Sequence, residues 1–145
     1  MNRELLVTRV GAHWFAFDVA SVEAAVDAPV VHAVATRTPA LCGQFVHRER
    51  TVPLYDLALL CGIARDGEGA GTALVFAVGA RTVAVRVDDV GELVRPAGEA
   101  LQAVPGGMDP VGVLRAVTLT AGRVTGVVET DALVARVLRA EEEAG

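Results

Sequence analysis

The sequence predicts a mainly β protein built as two similar small barrels that share one core. Three observations carry that expectation. Apolar residues make up 52% of the chain but aromatics only 4%, so Val, Ala and Leu must build the interior, and valine favours strands. Three pairs of apolar runs are each joined by two residues that include a glycine, the signature of a tight hairpin. The segment from Val10 to Val26 is then echoed by Val78 to Val94, at an offset of 68 residues and with seven identities in seventeen positions. Closing short valine strands into barrels removes the sticky edges they would otherwise expose. At 145 residues one domain, residues 1–145, is expected, long enough to bury a sizeable core.

The elements follow in order. "LLVTRV" and "HWFAFD" flank Gly11-Ala12, with Trp14, Phe15 and Phe17 suggesting a strand buried on both faces or ending in a sheet corner. "TALVFAV" and "RTVAVRV" flank Gly79-Ala80, and Val83, Val85 and Val87 fall on one face of an alternating strand. "VLRAVTLT" and "RVTGVVE" flank Ala121-Gly122. Two fainter echoes, "RERTVPLYDLALL" and "AGRVTGVVETDALV", share the same plan of turn, strand, acidic residue and short apolar helical turn. Asp18, Asp56, Asp88 or Asp89, and Thr130 or Asp131 are placed to cap those turns. Residues 64–71, "ARDGEGAG", read as a linker, because the lysine and hydroxyl ending of a phosphate loop is missing. Residues 96–112 read as a longer loop with three prolines. A C-terminal helix starts near Asp131, with Leu133, Val137 and Leu138 as its apolar stripe.

Most chemistry is excluded by what is missing. All thirteen cations are arginine, which removes lysine Schiff-base chemistry. Ser21 is the one serine, and no nucleophile elbow surrounds it. His13, His32 and His47 are too scattered to be read as metal ligands. Cys42 and Cys61 lack CxxC spacing and read as buried, reduced thiols. Adjacent Asp88 and Asp89 read as capping or opposite-face carboxylates rather than an acid–base pair. No enzyme, cofactor or metal is expected. A net charge of −5 argues against a nucleic-acid partner. No window of 18 apolar residues suggests a membrane span, and no signal-peptide h-region is present, so a cytoplasmic location is expected.

The stretch that asks for a partner is "GQFVHRERTVPLYDLALL", Gly43 to Leu60. It reads as a hairpin whose tip carries Val46, His47, Arg48, Glu49 and Arg50. Arg48 is a planar donor suited to a partner carboxylate. Pro53 cannot donate a ladder hydrogen bond, so an edge or bulge is expected beside the charged turn, and an edge strand can dock a protein.

These residues resemble the CheW-like domain of chemotaxis coupling proteins. The resemblance runs from about Leu5 to Leu138. "TPALCGQFVHRERTVPLYDLALL" is similar to the family's central run, with Thr38, Pro39, Gly43, Arg48, Pro53, Asp56 and Leu57 on its pattern. "VAVRVDDVGELVRP" and "GRVTGVVETDALV" resemble later runs. The resemblance implies two five-stranded SH3-like barrels, no catalysis, and an adaptor that joins the cytoplasmic tip of methyl-accepting chemoreceptors to the regulatory domain of a CheA-like histidine kinase. It implies partner contact at Arg48 and at Val22. The chain departs from the family at three places. Pro39 to Gly43 is one residue short, Asn-Leu-Arg-Gly is replaced by Val46-His47-Arg48-Glu49, and the glutamate expected two residues after Val22 is Ala24. Those departures leave open an adaptor that has kept one interface or binds another partner. A reading of another class is a small barrel that binds a ligand or peptide.

Overall fold

A computed structural model describes residues 3–34, 38, 40–64, 69 and 71–144. Pro39 and most of the 64–71 linker lie outside the described residues. Among the described residues there are ten strands: β1 (Leu5–Val10), β2 (His13–Asp18), β3 (Val22–Asp27), β4 (Leu41–His47), β5 (Arg50–Asp56), β6 (Thr72–Val78), β7 (Arg81–Val87), β8 (Asp89–Val94), β9 (Leu114–Thr120) and β10 (Arg123–Val128). Two helices follow strands, α1 (Leu57–Cys61) and α2 (Thr130–Ala144), and 3-10 turns occupy Val19–Ser21 and Gly98–Ala100.

The strands form two five-stranded sheets. Sheet A runs β8-β1-β2-β10-β9 and sheet B runs β3-β6-β7-β5-β4. The three glycine hairpins are β1–β2, β6–β7 and β9–β10, each antiparallel. The echo has a topological meaning. After hairpin β1–β2 in sheet A the chain crosses to sheet B, where β3 pairs with β6. After hairpin β6–β7 in sheet B it crosses back, and β8 pairs with β1. Each sheet therefore lends one strand to the other. The correspondence holds to the residue: Val127 lies opposite Ala16 in sheet A as Leu54 lies opposite Ala84 in sheet B.

Packing follows from that exchange. Each sheet has its own small interior, Leu5, Ala16, Ala116 and Val127 in A and Phe45, Val52, Leu54, Ala73, Val75 and Ala84 in B. A larger cluster lies between them and includes Phe15 and Phe17 of β2, Phe76 of β6, Val83, Val85 and Val87 of β7, and Leu133, Val134 and Val137 of α2. The rings of Phe17 and Phe76 meet across the two sheets at 5.6 Å. The valines of β7 do share one face, but the other face is covered too: Ala84 and Arg86 are buried, Ala84 in the interior of sheet B while the valines face the shared core.

Two capping expectations are met. Asp18 accepts from the Ala20 N–H and Asp56 from the Ala58 N–H. Two are corrected. No helix follows Asp88 or Asp89, because β8 starts at once; the Asp88 carboxylate instead accepts from the Gly11 N–H and from Arg86. α2 begins at Thr130, so Thr130 and Asp131 sit in its first turn rather than at its cap, the preceding Glu129 N–H being bound to the Val113 carbonyl.

Candidate functional site: the β4–β5 tip

The tip is a two-residue turn in which His47 pairs with Arg50. Arg48 and Glu49 hold φ of 50° and 66°, the left-handed pair that matches the twist of a hairpin. That backbone carries Arg48 outward; its side chain is 68% exposed. Val46 is exposed beside it. Arg50 turns back onto the sheet and donates to the Thr82 hydroxyl at 3.0 Å. His47 is half-buried, and its Nε2 has no hydrogen-bond partner among the described residues. Glu49 is exposed.

Val22, at the start of β3, is half-buried against the shared core. Its neighbour Glu23 is what reaches the tip, with Oε1 4.0 Å from Nη1 of Arg48. The family resemblance implies a glutamate at position 24, where this chain has alanine. Ala24 instead packs on the interior of sheet B. The pairing of β3 with β6 shifts register between Val22 and Ala24, and such a bulge re-aims a side chain. Nothing in a single sequence marks that bulge.

Two other matched residues are explained by the backbone. Gly43 holds φ of 147°, and a Cβ there would stand 2.3 Å from the His32 carbonyl oxygen, where residues 31–32 cross β4 and His32 bridges Gln44. Pro53 marks a local edge and not the end of the sheet: β5 lies between β7 and β4. Its pairing with β7 starts only at Leu54, so the missing N–H is not needed there. The strand at the end of the sheet is β4.

The described residues contain no group of three or more His, Cys, Asp and Glu side chains placed to hold a metal. Burial pushes the Cys61 thiol up to about 11, which holds it as an unreactive thiol. No helix among the described residues is long and apolar enough to cross a membrane.

Twin barrels that exchange a strand, with a charged hairpin tip, define the class of β fold to which the chain conforms. The family model of the CheW-like domain matches residues 4–138, and the chain belongs to that family, whose members are scaffold proteins of chemotaxis. The fold is similar to the crystal structure of the scaffolding protein TtCheW from Thermoanaerobacter tengcongensis, at a TM-score of 0.81 and 14% identity over 89% of this chain and 85% of that one. No curated protein matches the chain.

Proposed function

We propose that this protein is a non-enzymatic chemosensory adaptor, acting as one unit over residues 1–145, that joins the cytoplasmic tip of chemoreceptors to the regulatory domain of a CheA-like histidine kinase. The contact residues are Arg48, Val46, His47, Glu49 and Arg50 at the tip, with Val22 beside them. One observation supports this reading above others: Arg48 is presented on a left-handed turn, with Glu23 4.0 Å away and the apolar Val46 exposed at its side. An exposed arginine beside an apolar side chain has the composition of an interface hot spot. Glu23 stands in for the carboxylate absent at position 24, which favours an intact contact face over one that has been lost.

The test is calorimetric titration of the wild type and of Arg48→Ala against a receptor-tip fragment and a kinase regulatory domain, each alone. Arg48→Ala is expected to weaken one of the two by about 1–3 kcal/mol. Unchanged affinity for both would remove the tip from the contact, and failure of the wild type to bind either would end the adaptor reading.

A further inference from the structure

No further inference is drawn: the strongest candidate, the surface patch of exposed Leu119 and Val124 paired across β9 and β10 at the end of sheet A, is an unpartnered apolar face, and nothing in the structure shows what covers it.

Discussion

Glu49 sits at φ 66°, a conformation that costs a side chain with a Cβ about 1 kcal/mol or more and glycine almost nothing. The equivalent turn between β9 and β10 solves the same problem with Gly122, at φ 78° after Ala121 at 50°. Glu49→Gly is therefore expected to stabilise the protein by about 1 kcal/mol, raising Tm by roughly 2–4 °C, measured by thermal denaturation. An unchanged or lower Tm would mean that the Glu49 side chain contributes more than its backbone strain removes. Gly43 gives the opposite outcome: Gly43→Ala places a Cβ 2.3 Å from a backbone oxygen and is expected to cost about 2–3 kcal/mol. At this scale the sequence was legible where a residue type answers a local backbone demand. It was not legible at Glu23, because a bulge is decided by how two distant strands pair, and neither β3 nor β6 carries that information alone.

α2 is the element that binds both barrels into one body. Leu133, Val134 and Val137 are buried in the shared core, and Glu141 near its far end holds Tyr55 and Arg81. Burial, and then the hydrogen bond and charge of Glu141, push the Tyr55 hydroxyl well above its usual range. A tyrosine whose folded pKa is raised contributes stability that is present below the unfolded value near 10 and is lost as pH rises above it. Wild type is thus expected to lose stability from about pH 10 upward more steeply than Tyr55→Phe, followed by urea midpoints across pH 8 to 11. Parallel slopes would show that the helix end is not held through this hydroxyl. The stripe of α2 and all the hairpins could be read from periodicity, since both depend on neighbours within a few residues. The edge or bulge expected at Pro53 is a local one, because a proline reports only that its N–H is unused, and the end of the β5–β7 pairing at Leu54 supplies that condition inside a sheet.

The whole molecule depends on two crossings, and the second is tied down by a buried ion pair. Arg86 lies one residue before the end of β7 and Asp88 begins the crossing to β8; they meet at 2.7 Å with side chains 3% and 4% exposed. Arg86 also donates to the Gly69 carbonyl from Nε and Nη2, and Asp88 accepts from Gly11 N–H in the β1–β2 turn. One cluster thus joins the segment between the halves, the last residues of sheet B and the first turn of sheet A. The echo was visible in sequence, but the strand exchange was not. A repeat says that two units are alike, while which unit each third strand joins is settled by long-range contacts such as this one. Burial opposes ionisation of Asp88, yet the Gly11 N–H and the Arg86 and Arg9 charges hold its carboxyl below the usual range. The stability this supplies is present above the unfolded value near 3.9 and fades as pH falls below it, so it does not vary near neutrality. Arg86→Leu leaves Asp88 buried without its closest cation and is expected to cost about 3–5 kcal/mol. Adding Asp88→Asn removes the stranded charge, and the double variant is expected to regain a large part of that loss while no longer showing the acid-side decline. Urea unfolding of the wild type and of the single and double variants at pH 7 and at about pH 3 measures both effects. A double variant no more stable than Arg86→Leu alone would place the energy in the Arg86–Gly69 contact rather than in the pair, and the junction would then be a clasp on the connecting segment instead of an electrostatic lock between the barrels.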